Sequence, residues 1–202
     1  MAIEQILLDS QLSPLAGVDE AGRGACAGPL VVAAVILRDP FSKVLHRVRD
    51  SKKIQESERE RLFEVVISQC LDYCVVVISS SEIDARGVHA ANIDGMRRVV
   101  LGLAITPKFV LTDGYAVPGL GFPSLGVWKG DQVVRSISAA SILAKVTRDR
   151  ILREMDTNFP DYGFATHKGY STKSHMDAIR EFGASPHHRI SFANVAMIIN
   201  NS

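Results

Sequence analysis

Apolar residues in this chain fall into short, nearly unbroken runs separated by stretches with three- and four-residue spacing. Residues 15–19 and 30–37 are almost continuously apolar and rich in Val and Ile, the pattern of central strands covered on both faces. Residues 73–79 predict a third strand, 108–112 a fourth and 125–129 a short fifth. Between them the period changes to that of helices. One helix opens at Ser57, with Glu60 at capping-box spacing and Leu62, Val65, Val66 and Gln69 along its length. Residues 81–86 predict a short helix stopped by Gly87, and residues 89–104 a longer one ending before Thr106-Pro107. Residues 136–158 give the longest helical signal, with Ile137, Ala140, Leu143, Ala144, Ile151 and Met155 on one face. Ser171 and Thr172 mark the entrance to a further helix ending near Gly183, and Phe192, Val195 and Ile198 give residues 190–199 the spacing of a docking helix. Two adjoining strands followed by strands and helices in alternation predict an α/β fold: a mixed sheet flanked by helices, with a small helical C-terminal segment.

Composition changes this picture only slightly. The chain has 202 residues, 47% of them apolar and 22% charged, enough for one substantial core. The expected division is a core over residues 1–160 and a helical segment over 161–202 packed on it. Residues 1–13 lack the basic start and unbroken apolar stretch of a signal peptide, and no apolar run approaches the roughly 18 residues that span a bilayer. A cytoplasmic protein with no membrane partner is expected. Cys26, Cys70 and Cys74 cannot all pair, and Cys70 and Cys74 lack a second pair for a zinc site, so reduced, buried thiols are expected. A formal net charge of +1 neither demands nor excludes nucleic acid. His167, His175, His187 and His188 lack the spacing of a helical metal-binding pair, and surface or phosphate-facing positions are expected for them.

The chemistry gathers where strands end. Residues 15–19 deliver Asp19 and Glu20 into the turn Ala21-Gly22-Arg23-Gly24; the fourth strand ends on Asp113-Gly114, and the fifth is followed by Gly130-Asp131. Each acid taken singly reads equally as ordinary turn chemistry, and Asp19 and Glu20 equally as part of a solvated hairpin. If the strands share a sheet, the four carboxylates converge as an oxygen-rich pocket suited to Mg²⁺ or Mn²⁺. Consecutive strand residues point to opposite faces, so Asp19 and Glu20 meet only if the strand bends or twists at its end. The glycine turn is not a dinucleotide fingerprint: its glycines fall at 22, 24 and 28, and a strand rather than a helix follows. On the long helix Ser138, Ser141, Lys145 and Arg148 follow at three- and four-residue steps, placed to flank an anionic substrate.

Six stretches in register resemble the bacterial ribonuclease HII family, the type 2 ribonucleases H. They are Gly17-Val-Asp-Glu-Ala-Gly-Arg-Gly24, Asp50-Ser-Lys-Lys53, Thr112-Asp-Gly114, Lys129-Gly-Asp131, Ser138 through Asp149, and His167-Lys-Gly-Tyr170. The resemblance runs from about residue 15 to 192 and implies a ribonuclease H-like mixed sheet. It further implies an endonuclease that cuts the RNA strand of RNA/DNA hybrids and cuts 5′ of single ribonucleotides in duplex DNA, leaving 5′-phosphate and 3′-hydroxyl ends. Carried over by motif, Asp19, Glu20, Asp113 and Asp131 are the catalytic, metal-binding acids, holding two Mn²⁺ or Mg²⁺ ions. The backbone of Gly22, Arg23 and Gly24 would recognise the ribose 2′-hydroxyl, and Tyr170 would stack on the deoxyribose downstream. Ser51, Lys52 and Asn92 would contact backbone phosphates, and Lys145, Arg148 and Lys168 join them on charge alone. The expected partners are RNA/DNA hybrid and ribonucleotide-containing duplex DNA, the expected state a monomer, and the expected role ribonucleotide removal in DNA replication and repair. A different metal-dependent nuclease on the same fold and a non-catalytic binding module are the rival readings.

Overall fold

The computed structural model describes residues 3–48 and 54–201. Strands β1 (Leu15–Ala21), β2 (Leu30–Leu37), β3 (Cys70–Ile78), β4 (Phe109–Asp113) and β5 (Ser124–Val127) form one sheet in the order β3-β2-β1-β4-β5. β1 pairs antiparallel with β2 and parallel with β4, and β4 pairs parallel with β5, so the sheet is mixed, as expected. β1 and β2 lie inside it, and all eight residues of β2 are buried. That is why their apolar runs do not alternate.

Helices cover both faces. Val18, Val32, Ala34 and Ile36 pack beneath α3 (Ser80–Arg86) and α4 (Val88–Leu101), where Ile83, Met96 and Val100 meet them. Ala21, Val31, Ala33 and Val35 pack beneath α2 (Glu56–Gln69) and the 24-residue α6 (Arg135–Asn158), through Leu62, Val66, Ala140 and Leu143. α6 lies close against β1 because residue 17 is glycine: a Cβ there would fall 2.2 Å from the Ser136 carbonyl carbon. The first turn of α6 has no cap of its own. It is capped across the fold by buried Glu4 of α1 (Ile3–Asp9), whose carboxylate accepts from the N–H groups of Arg135 (2.7 Å) and Ser136 (2.9 Å). The sequence pattern gave no sign of α1.

The expected capping box at Ser57 does not form. α2 starts one residue earlier behind Gln55, and Glu60 turns to Arg150 (2.6 Å) and Arg153 (2.7 Å) of α6, a better electrostatic partner than an exposed backbone N–H. α3 starts one residue before the expected 81, with the Ser79 hydroxyl accepting from Glu82 N–H, and Gly87 closes it at φ 79° as the pattern implies. After α6 come short α7 (Phe164–His167), α8 (Lys173–Phe182), opened by the Thr172 hydroxyl accepting from His175 N–H, and α9 (Ala193–Asn200). Their connections return to the β1–β2 turn: Cys26 and Ala27 N–H donate to the Gly169 carbonyl, and Gly28 N–H donates to that of His187. Among the described residues no helix is long and apolar enough to cross a membrane.

Candidate active site

Three of the four acids sit at the ends of neighbouring parallel strands, and the fourth lies beside them. Val18 pairs with Thr112 in the β1–β4 ladder, so Asp19 and Asp113 each stand one residue past the last pair. Asp113 is opposite Val127, three residues before Gly130, whose N–H donates to the Asp113 carboxylate at 2.6 Å. Asp131 follows in the one-turn helix α5 (Gly130–Val133) and is buried. No bulge interrupts the end of β1: the β1–β2 ladder keeps register through Glu20–Val32 to Ala21–Val31. Asp19 therefore shares the α6 face with Ala21, while Glu20 lies on the α4 face near Tyr115. They are neighbours around the sheet end rather than on one face.

The electrostatics show how closely the acids are placed. Burial first, then the charges of Glu20 and Asp113, hold the Asp19 carboxyl well above the usual carboxylate range, against hydrogen bonds from Ser141 and from the Glu20 N–H. The latter bond is 2.7 Å. Among the described residues no three His, Cys, Asp or Glu side chains are drawn together tightly enough to hold one ion as they stand. Like charges in a buried site repel, and here two of them turn to backbone N–H groups.

α6 positions these acids. Ser141 supports Asp19, and the Ser138 hydroxyl is shared between the carbonyls of Asp131 (2.6 Å) and Val134 (2.8 Å). Both serines are buried, and the expectation that Ser138 flanks substrate is corrected, since it holds the backbone at Asp131; Ser141 supports Asp19 and also lines the cavity beside Glu20. Arg148 is corrected likewise. It is 1% exposed, and its guanidinium donates to the carbonyls of Pro29 (2.9 Å), Lys168 (2.9 Å) and Ala27 (3.1 Å), which removes it from any phosphate. Lys168 pairs with Glu56 at 3.3 Å, and Lys145 pairs with Asp149.

Beside Glu20 the turn opens into a cavity of about 290 Å³ lined by Gly22, Arg23, Gly24, Ser141, Lys145, Arg148 and Tyr170. Arg23 and Gly24 are exposed, and Tyr170 is 45% exposed on the opposite wall. A buried framework that the sequence pattern did not reveal holds this turn. Arg189, fully buried, donates to the carbonyls of Arg23 (3.0 Å) and Gly28 (2.9 and 3.1 Å). Gly22 sits at φ 88°, and a Cβ there would fall 1.9 Å from Arg148 Nε. Asn92 is fully buried in α4 and donates to the Tyr115 hydroxyl at 2.7 Å, while Arg23 lies 5.5 Å above the Tyr115 ring. Ser51 and Lys52, with Asp50 and Lys53, lie outside the described residues.

Of the four histidines expected at the surface or facing phosphate, His167 and His187 are half-buried and the other two are enclosed. His175 and His188 are buried, with their Nε2 atoms 3.0 Å apart, and His167 stacks on His175 at 4.0 Å between ring centroids.

Residues 16–195 match the sequence pattern of the family described as Ribonuclease HII. Ribonuclease HII of Mycobacterium avium is 55% identical over 200 residues, covering 99% of this chain and 87% of that protein. Ribonuclease HII of Rhodococcus erythropolis is 54% identical, covering 96% and 85%. Among solved structures, the ribonuclease H2 of Pyrococcus horikoshii superposes with a TM-score of 0.80 at 27% identity, covering 93% of this chain and 97% of that one.

Proposed function

Because the chain belongs to the ribonuclease HII family, endonucleases that cut the RNA strand of RNA/DNA hybrids, we propose that it also cuts duplex DNA 5′ of a single embedded ribonucleotide, leaving 5′-phosphate and 3′-hydroxyl ends. Asp19, Glu20, Asp113 and Asp131 are assigned as the ligands of two divalent ions, Mg²⁺ or Mn²⁺. The donor set fits: it is all oxygen, and Asp19 resists ionisation against its acidic neighbours, a condition that a hard cation relieves. When bound, the ions supply an activated water and neutralise charge on the phosphate and the departing 3′-oxygen. The chain's own groups do the positioning. Ser141 orients Asp19, the Gly130 N–H orients Asp113, and Ser138 anchors the backbone at Asp131.

One observation carries the substrate reading: the cavity beside Glu20 has the Gly22–Gly24 backbone on one wall and the Tyr170 ring on another. Main chain approached through glycines suits a ribose 2′-hydroxyl, which is both donor and acceptor, and an exposed aromatic ring suits stacking on the next sugar. Lys145 lines the same cavity and is assigned to the phosphate beside it; Ser51 and Lys52 are assigned to backbone phosphates from their motif alone. Asn92 acts through the Tyr115 hydroxyl that it holds. The corresponding cellular role is ribonucleotide removal from DNA in the cytoplasm, by a monomer. The test compares Mg²⁺-dependent cleavage of an RNA/DNA hybrid by the unaltered protein and by Asp19→Asn. A loss on the order of 10³-fold in kcat with duplex binding retained is expected. Retention of more than roughly a tenth of the rate would remove the acids from the chemistry.

A further inference from the structure

Behind Tyr170 the buried histidines form a chain whose hydrogen bonds run in one direction. At one end the Tyr170 carbonyl, which only accepts, lies 2.9 Å from His175 Nδ1, so that nitrogen carries the proton and Nε2 is bare. At the other end the Ser185 N–H donates to His188 Nδ1 at 2.9 Å, so that nitrogen is bare and His188 Nε2 carries the proton. The two ends fix the tautomers independently, and they agree in the middle: His188 Nε2–H donates to bare His175 Nε2 at 3.0 Å. Burial lowers both imidazoles to about 4, so both rings are neutral at neutral pH, as the chain requires. The surroundings are closed. His167 stacks over His175, with its own nitrogens engaged by the Tyr162 carbonyl (2.6 Å) and the Gly169 N–H (3.1 Å). The Cys26 thiol, which burial keeps protonated, lies 3.6 Å from His175 Nδ1 and donates instead to the Gly169 carbonyl at 3.4 Å.

We infer that His188 and His175 are positioning residues for substrate selection: His188 fixes the tautomer of His175, and His175 Nδ1–H fixes the Tyr170 carbonyl and so the ring that reads the sugar beside a ribonucleotide. The inference rests on the role proposed above for Tyr170. Without the His188 donor, His175 can move its proton to Nε2, and a bare Nδ1 then faces the Tyr170 carbonyl, acceptor against acceptor. The Thr172 N–H, at 2.8 Å, would be left holding that carbonyl alone.

Two side-chain replacements separate this role from simple packing. His188→Gln keeps an N–H near the Nε2 position, and His188→Asn does not reach it. The readout is the ratio of kcat/KM on duplex DNA with one ribonucleotide to kcat/KM on a long RNA/DNA hybrid, with Tyr170→Ala as reference. Expected is a fall of about tenfold in that ratio for Tyr170→Ala and His188→Asn, with His188→Gln close to the unaltered protein. In parallel, ¹⁵N-histidine NMR of the unaltered protein should show a ring protonated at Nδ1 that is absent from His175→Gln and lost in His188→Asn. A Tyr170→Ala ratio that does not change would refute the reading of Tyr170 itself. A fall for Tyr170→Ala with none for His188→Asn, or His175 protonated at Nε2 in the unaltered protein, would overturn the relay.

Discussion

At the scale of single residues, Asp19 carries an electrostatic cost. Its carboxyl is held above the usual range chiefly by burial and then by Glu20 and Asp113, so the ion-free folded protein binds this proton more tightly than the unfolded chain does. Ionising Asp19 therefore costs stability. The cost is absent below the unfolded carboxylate range and complete once pH exceeds the raised folded value. Asp19→Asn removes it and keeps an oxygen for the Glu20 N–H and Ser141. In chelator at neutral pH this variant should melt a few degrees above the unaltered protein, and the gap should close towards about pH 4. Thermal melts at the two pH values check both size and sign; a variant that melts lower at neutral pH would show that the carboxylate is already compensated without an ion. Trp128 supports a second residue-scale test. It is the only tryptophan, 78% exposed, and follows Val127, the register partner of Asp113. If the substrate strand reaches Asp113 it passes this indole, so adding duplex to the Asp19→Asn protein should change tryptophan emission. Unchanged emission at saturation would place the nucleic acid away from β5.

At the scale of elements, α6 is the frame on which the site is assembled. It lies against Gly17, supports Asp19 through Ser141 and Asp131 through Ser138, and sends Arg148 under the β1–β2 turn. Arg148→Met should cost about 3–5 kcal/mol in urea unfolding, because the carbonyls of Ala27, Pro29 and Lys168 lose a buried charged donor. Lysine should not restore the loss, since one ammonium cannot reproduce the guanidinium fork. A cost below about 1 kcal/mol would mean that the turn holds itself. The elements themselves were largely legible in the sequence. Continuous apolar runs marked β1 and β2, and the acids that ended the strands marked the tip where the site lies. What α6 does with its polar stripe was not legible. Ser138, Ser141, Lys145 and Arg148 repeat at three- and four-residue steps, and that period does not distinguish a face turned to substrate from one buried against another loop. Arg189, His175 and His188 were hidden for the same reason. Burial of a polar side chain depends on carbonyls and rings supplied by residues more than a hundred positions away for the arginine, and the neutral state of the histidines follows only from that enclosure.

At the scale of the whole molecule, the catalytic and reading parts come from distant stretches of the chain. Asp19, Glu20 and Asp113 belong to the sheet and Asp131 to α5 beside it, while Tyr170 belongs to the connection between α7 and α8; the β1–β2 turn joins them through Cys26, Ala27 and Gly28. In the proposed reading this arrangement couples cutting to recognition of the sugar. The most direct test uses end-labelled duplex DNA with one ribonucleotide, the same duplex all in DNA, and Mg²⁺ or Mn²⁺ against chelator. The account predicts metal-dependent cutting at one position, 5′ of the ribonucleotide, and none in all-DNA. Equal cutting of the all-DNA duplex would contradict it, because the acids would then be acting without the 2′-hydroxyl reader beside them.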